Sequence, residues 1–387
     1  MSFNEWETYK LEQVLEVKYG KDHKSLSDGS IPVYGSGGIM RYADTALYND
    51  TSILIPRKGT LNNLFFLDKP FWTVDTMFYT ILNKELIDPK FLFYKLTTFN
   101  YSEMNVGTAV PSMTVQVLNE LEITIPQKPI QERISFILST IDDKIENNLA
   151  TNQTLEEIAR TLFKDWFVNF NYPNADGNLK QSEFGEIPES WEIGTLGDIY
   201  KTTSGGTPSR SKPEYYENGS IGWVKSKELN NSFIIDTEEK ITEDALKNSS
   251  AKFLPKHSVL IAMYGATVGE IGIITEKFTC NQAICAFLPN EQYPFSFIYN
   301  FLLNSKQDII SRAVGSAQQN ISQQLLLQYK LVIPPSELVQ EYHRIIFPLF
   351  QKVQDNIEEN KSLKDLRDSL LPKLISGEII VNPSTTQ

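Results

Sequence analysis

Cysteine and histidine are the scarcest chemistry in this sequence: two cysteines, Cys280 and Cys285, and three histidines, His23, His257 and His343, in 387 residues. Two thiols build no disulfide framework. Their spacing lacks the partners of a zinc site, and one of them is expected to pack in the core. The histidines are scattered along the chain, so neither a metal site nor a histidine-based triad is suggested. No run approaches eighteen apolar residues, so no membrane-spanning helix is expected. The N-terminal stretch MSFNEWETYKLEQ is acidic and has no apolar h-region, unlike a signal peptide. Together these features point to the cytoplasm. The phosphate-loop pattern G-x-x-x-x-G-K-[ST] is missing, as are G-x-G-x-x-G after a strand and an Asn-Pro-Pro-aromatic segment. Carboxylates are numerous, but no pair stands out. The chain therefore reads as non-catalytic, with no cofactor of its own.

Positive charge is also short. There are 36 Lys and Arg against 48 Asp and Glu, a formal net charge of −12, and acidic residues outnumber basic ones in every segment. Such a balance predicts weak binding of the isolated chain to nucleic acid, because phosphate neutralisation supplies most non-specific affinity. It does not exclude a local positive face, and a partner bringing basic surface would resolve the tension. Hydrophobic residues make up 41% and charged residues 22%, the range of an ordinary globular protein. The length suits two or three domains.

What the sequence does have is an internal repeat. Trp6 in EWETYKLEQ matches Trp191 in SWEIGTLGD. LIPRKG, Leu54 to Gly59, matches LIAMYG, Leu260 to Gly265, and Thr73 and Thr279 follow at the same offset. Gly107 in VGTAVPSM matches Gly315 in VGSAQQNI. An apolar run then ends at Pro126 in one half and at Pro334 in the other. Each proline precedes a Gln-Glu pair, Gln131-Glu132 and Gln340-Glu341, and a long helical pattern. The second half carries insertions in its early loops. The organisation expected is a mixed domain over residues 1–128, a long helix and linker over 129–185, a second mixed domain over 186–334, and a second long helix and tail over 335–387.

In the first helical pattern Ile134, Leu138, Ile141, Ile145, Asn148, Asn152, Leu155, Ala159, Leu162 and Trp166 recur at alternating spacings of four and three, a heptad seam. About forty residues of helix span roughly 60 Å. The second seam reads Ile346, Leu349, Val353, Asn356, Asn360, Leu363, Arg367, Leu370, Leu374. Asn148 and Asn152 match Asn356 and Asn360, and paired polar seam residues fix register. A pseudo-two-fold relation between the halves would make the helices antiparallel. Pro348 is expected to kink the second helix or mark its start, and Pro372 to bend or end it. Aromatic and basic residues cluster at the helix ends: Arg160, Phe163, Trp166 and Phe167 in one, Leu370 and Leu374 in the other. They are candidates for docking a partner.

Between the repeat anchors, short apolar runs broken by Gly, Asn and Ser read as strands and turns, with short helices over 88–97 and 295–303. The loops are the candidate recognition elements. In the first half Gly35, Ser36 and Gly37 let backbone approach a phosphate, and Arg41 follows. Arg57, Lys58, Thr60, Asn62 and Asn63 set two cations beside amide donors suited to guanine and adenine edges, and Thr108 flanks the matched glycine. The second-half counterparts are Ser204, Thr207, Ser209 and Arg210, then Lys225 and Lys227, Tyr264 and Thr267, Gln282, and Gln318, Gln319 and Asn320. Solvated turns are the ordinary use of such loops, so the set carries more weight than any one member.

The segments IPVYGSGGIMRYAD, ILIPRKGTLNNLFFLDKPFWTVDT, SGGTPSRSKPEYYENGSIGWVKSKELNN, KNSSAKFLPKHSVLIAMYGATVGEIGI, NQAICAF and LFKDWFVNF together resemble the specificity subunits of type I restriction-modification enzymes. The resemblance runs nearly from Trp6 to Glu378. It implies an α+β fold: two mixed α/β target-recognition domains separated by a pair of long antiparallel coiled-coil helices. Each domain would read one half of a bipartite site in double-stranded DNA. The helices would act as spacer and as the dock for two methylase subunits, with a third, translocating restriction subunit in the assembly. S-adenosylmethionine, ATP and Mg would all reside on those partners. From the residues alone, a protein-binding scaffold, an enzyme with a diverged site and a lone specificity protein that diversifies methylation remain open.

Overall fold

The computed structural model describes residues 6–104, 111–312 and 320–382. Gly107, Thr108, Gly315, Gln318 and Gln319 lie outside the described residues. Two compact units form: residues 1–145 with 362–387, and residues 146–361.

The first unit opens with β1 (Trp6–Lys10), α1 (Leu11–Val14), β2 (Leu15–Tyr19), β3 (Asp28–Gly35), β4 (Gly38–Ala43) and β5 (Ser52–Pro56). Then come β6 (Phe65–Leu67), β7 (Trp72–Thr73), β8 (Met77–Leu82), α2 (Pro89–Thr97), α3 (Val115–Asn119) and β9 (Glu122–Pro126). The sheets run β2-β8-β5-β6 and β4-β3-β7, and β1 pairs with β9. β5, SILIP, is buried along its whole length, as a central strand covered on both faces must be. Helix α2 starts where Asp88 accepts from the Phe91 N–H at 2.8 Å and Pro89 fills the first turn, the pairing favoured at a helix start.

Helix α4 (Lys128–Phe167) follows. The buried Gln131 side chain fixes its start: Oε1 accepts from the Asp88 N–H at 2.8 Å and Nε2 donates to Pro126 O at 2.8 Å. A hairpin of β10 (Leu179–Ser182) and β11 (Gly185–Pro188) leads into the second half.

That half repeats the first. It contains β12 (Glu192–Thr195), α5 (Leu196–Ile199), β13 (Thr202–Ser204), β14 (Ile221–Val224), β15 (Ser232–Ile234), β16 (Lys240–Ile241) and α6 (Glu243–Lys247). β17 (Val259–Ala262), β18 (Ile271–Ile274), β19 (Thr279–Cys280), β20 (Ile284–Phe287), α7 (Phe295–Ser311), α8 (Gln323–Leu327) and β21 (Lys330–Ile333) follow. The sheet order β13-β20-β17-β18-β15 reproduces β2-β8-β5-β6 with one strand added, and β16-β14-β19 reproduces β4-β3-β7. Each three-stranded sheet joins one antiparallel and one parallel pair. β12 pairs with β21 as β1 does with β9. Even the caps recur: Thr114 caps α3 and Ser322 caps α8. The expected helices over 88–97 and 295–303 are present, the second extended to Ser311 because Leu302 and Ile309 are buried along its inner face.

Helix α9 (Ser336–Ser376) runs through both prolines, so Pro348 does not mark its start and Pro372 does not end it. Pro348 and Pro372 are exposed, and so are Arg344 and Asp368 one turn earlier. At such exposed positions water can take the place of the hydrogen bond that a proline cannot donate.

The heptad seam is buried as its spacing requires: Ile134, Leu138, Ala159, Ile346 and Val353 are fully covered. Within the second unit Asn148 Nδ2 donates to Asn360 Oδ1 at 2.9 Å, and Asn356 Nδ2 donates to Asn152 Oδ1 at 2.7 Å. Exchanging the two helices maps one bond onto the other, the mark of an antiparallel pseudo-two-fold pair. The Tyr342 hydroxyl donates to Ala159 O at 3.0 Å, continuing the same direction. Within the first unit the seam residue Arg367 donates to Asp142 Oδ1 at 2.9 Å, and the Tyr94 hydroxyl donates to the other oxygen at 2.6 Å. An arginine tolerates a seam position there because its charge is paired and hydrogen-bonded.

Candidate nucleic-acid interface

In the first half the structure brings the sequence-designated loops together. Gly35, Ser36 and Gly37 end β3 and turn into β4. Asn63 Nδ2 donates to Ser36 O at 2.8 Å, tying the loop after β5 to this turn. Lys58 bridges to Ser112, and Met113 N donates to Arg57 O at 2.9 Å, which draws in the loop before α3. Gly59 has φ +90°, and its matched Gly265 has the same φ. The repeat therefore keeps a left-handed turn at the end of the strand, where a side chain would be strained.

The cations differ in what they can offer. Arg57 is half-buried. Nη1 donates to Asp75 O at 3.1 Å, and the guanidinium lies 5.3 Å from the Tyr19 ring centre, within reach of a cation–π contact. Backbone and ring hold it, and no carboxylate neutralises it among the described residues. Lys58 and Thr60 are exposed. Arg41, by contrast, binds Asp28 Oδ1 at 2.5 Å and Leu26 O at 3.2 Å. Asn62 shapes its neighbourhood: Oδ1 accepts from the Tyr101 N–H at 2.9 Å and Nδ2 donates to Ser102 Oγ at 3.3 Å. An open cavity of about 650 Å³ borders the turn, lined by Asp22, His23, Lys24 and Met40 with Asp75 and Thr76. Sequence reasoning passed over that wall and Tyr19. The run KYGKDHK, three lysines beside a histidine, was the available signal.

In the second half, Ser204 ends β13 and the chain passes against the strand end opposite. A Cβ on Gly205 would lie 2.0 Å from Cys280 O, so only glycine fits. The Trp223 indole donates to Gly206 O at 2.9 Å, and Thr207 hydrogen-bonds Gln282. Ser209 is exposed and hydrogen-bonds Ser211. Tyr264 and Thr267 flank Gly265, and Met263 N donates to Ala283 O at 2.8 Å, placing that turn beside Gln282. Ile321 N donates to Met263 O at 2.7 Å, which puts the exposed Asn320 at the same edge.

Arg210, Lys225 and Lys227 lie together but are not bare cations. Arg210 pairs with Glu239 at 2.7 Å, Lys225 with Glu238 at 2.9 Å and Glu239 at 3.0 Å, and Lys227 with Glu238 at 2.6 Å. Arg210 also stacks 4.2 Å from the Tyr216 ring centre. Burial lowers the Lys225 pKa, but the two carboxylates outweigh it and hold the ammonium above its ordinary value. Hydrogen bonds from Lys227 and Lys225 hold Glu238 below the usual carboxylate range. Sequence reasoning missed both glutamates.

The structure contradicts part of the docking set. Phe163, Trp166 and Phe167 are at most 8% exposed and belong to the core of the second unit, where Phe167 meets Trp191, Phe297 and Tyr342. Leu374 is buried in the core of the first unit, and Leu370 packs half-buried against it. Phe163, Trp166, Phe167 and Leu374 are thus taken up by the protein's own cores, whereas Leu370 keeps part of its surface. Arg160 alone of the set is exposed. Apolar residues that do reach the surface of the helices are Phe136, Leu149, Ile158, Ile345 and Leu366. Ile158 and Leu366 occupy matching repeat positions and are 49% and 47% exposed.

No group of His, Cys, Asp and Glu among the described residues could hold a metal ion. Both cysteines are buried free thiols, which burial pushes up to about 12. No described helix is long and apolar enough to cross a membrane.

The family model described as the type I restriction modification DNA specificity domain matches residues 4–157 and 188–365. The MjaIX specificity subunit of Methanocaldococcus jannaschii is 28% identical over 410 residues, covering 97% of this chain and 94% of that protein. The HindI specificity subunit of Haemophilus influenzae is 28% identical over 379 residues, covering 80% and 81%. Among solved structures, the type I restriction-modification S subunit from M. genitalium superposes with a TM-score of 0.65 at 19% identity, covering 96% of each chain.

Proposed function

The chain belongs to the type I restriction modification DNA specificity family, and from that premise we propose how its two halves divide the work. It is the non-catalytic specificity subunit of a type I restriction-modification system, and each half reads one part of a bipartite site in double-stranded DNA. The observation that carries this reading is the repeat. The same strand order, the same glycine turn and the same capped helix recur in both halves, so two equivalent loop sets are offered. In the first domain Arg57, Lys58, Thr60 and Asn63 with the 35–37 turn contact DNA. In the second, Ser204, Thr207, Ser209, Gln282, Tyr264, Thr267 and Asn320 do so, with Arg210, Lys225 and Lys227. Arginine and amide side chains supply base-edge contacts, and turns supply backbone contacts to phosphate.

The partners in this reading are two modification subunits and a translocating restriction subunit. S-adenosylmethionine, ATP and Mg reside on them, and the assembly works in the cytoplasm. The exposed Ile158 and Leu366, at matching positions of the two helices, suit two copies of one partner. Basic surface on that partner would supply phosphate contacts which a chain of net charge −12 lacks. The test is a domain exchange. Replacing residues 186–334 by the corresponding part of another family member is expected to change one half of the methylated sequence. The other half and the gap should stay as they were. A change in both halves, or in neither, contradicts the reading.

A further inference from the structure

The two recognition surfaces handle charge differently. Between β3 and β4 of the first half only Ser36 and Gly37 intervene. Between the equivalent strands β14 and β16 of the second half lie residues 225–239, including the added strand β15. Lys225, Lys227, Glu238 and Glu239 all belong to this enlarged connection, and Arg210 reaches into it. Every cation of the group has a carboxylate within 3.0 Å. Lys225 is mostly buried, its side chain 14% exposed, while Arg210 and Lys227 are more than half exposed. The first domain's Arg57 and Lys58 have no such counter-charge among the described residues. The loop is anchored from behind, where Asp236 pairs with Lys361 at 2.5 Å and Lys240 at 3.5 Å.

We infer that Glu238 and Glu239 are specificity-determining residues. They occupy the cations of the second recognition domain in place of phosphate, so that random DNA is held weakly and only a site offering further contacts displaces them. The inference rests on the DNA-reading role proposed above.

The physical argument is competition. A phosphate that binds Lys227 or Arg210 must displace a carboxylate already at ion-pair distance, so the gain is the difference between two similar contacts. Counter-ion release is reduced as well, because a cation paired within the protein adds little to the DNA's neutralisation. A duplex with the right bases adds directional hydrogen bonds from Thr207, Gln282 and Arg210 and can meet the cost, whereas a random duplex cannot. The specificity ratio decides how such a protein distributes over competing genomic sites, so weakening random binding is a gain even where it lowers absolute affinity.

The test uses the full chain assembled with its modification subunits, comparing wild type with Glu238→Gln, Glu239→Gln and the double variant. Glutamine keeps the shape and one acceptor oxygen but removes the charge. Affinities are measured across salt concentrations for a random-sequence duplex and for a duplex carrying the methylated motif. Each freed cation that meets a phosphate adds about 0.9 to the salt slope. The double variant should therefore bind random duplex roughly tenfold tighter or more at low salt, with a slope steeper by about two. Motif binding should gain less, so discrimination falls. Adding Lys227→Gln to Glu238→Gln should cancel the gain of the single variant, and the half-exposed position of Glu238 makes misfolding no concern. Unchanged or weaker random binding by the variants overturns the inference, as does loss of motif binding without a random gain, which would make the glutamates base readers. If the wild-type assembly itself prefers no sequence, the DNA-reading role fails instead.

Discussion

Replacing Trp166 by alanine separates a core residue from a docking residue. The ring is 5% exposed and lies 6.0 Å from the Tyr342 ring centre and 6.3 Å from that of Phe167. Removing so large a buried ring costs about 3–5 kcal/mol, the lost transfer energy plus the cavity left behind. For a unit of more than 150 residues, each kcal/mol lowers the melting midpoint by about 2–4 °C. A fall of about 10 °C in the transition of the second unit is therefore expected, measured by scanning calorimetry on the full chain. Ile158→Asp and Leu366→Asp, at half-exposed positions, should leave the midpoint within about 2 °C and reduce co-purification of the modification subunit. An unchanged midpoint for Trp166→Ala with loss of the modification subunit would refute the core assignment and restore the ring as a docking site.

Three further outcomes follow from particular contacts. Asn356→Leu alone leaves the buried Asn152 Oδ1 without its donor and should cost about 1–3 kcal/mol. The double variant with Asn152→Leu should recover that loss, and denaturant titration of the wild type, both single variants and the double variant checks the cycle. Burial, and next the neighbouring His257, pull the His343 imidazole down to about 4. The unfolded chain therefore binds a proton that the folded chain refuses, and stability should fall as pH drops from about 6.5 towards 4. His343→Gln should flatten that fall in melting midpoints taken across the range. Arg57→Ala should relax the methylated motif at one position of the half read by the first domain, whereas Arg41→Ala, its guanidinium already spent on Asp28 and Leu26, should leave the motif unchanged. Sequencing of methylated DNA distinguishes them.

The helices and their seam were legible because a heptad is a local, periodic signal, and the matched asparagines announced their register. The repeat was legible for the same reason at longer range: matched glycines must keep matched backbone angles, as Gly59 and Gly265 do. Which core a seam aromatic joins is not periodic information. Trp166 and Phe167 continue a helix stripe, yet the residues that cover them, Trp191, Phe297 and Tyr342, come from three distant segments. The prolines misled as helix boundaries because their cost depends on which way the helix faces, and both are exposed. The candidate loops were found as a set, but not the partners of their side chains. Nothing local says that Glu239 reaches Arg210, or that Asn62 serves the 100–102 turn.

The most direct test of the central claim is a map of adenine methylation in cells co-expressing this chain with its modification subunit. A single bipartite motif with a fixed gap, absent when this chain is omitted, is the result the account predicts. A stable complex that methylates no defined motif, or one whose motif is unchanged when the recognition loops of both halves are replaced, would contradict it.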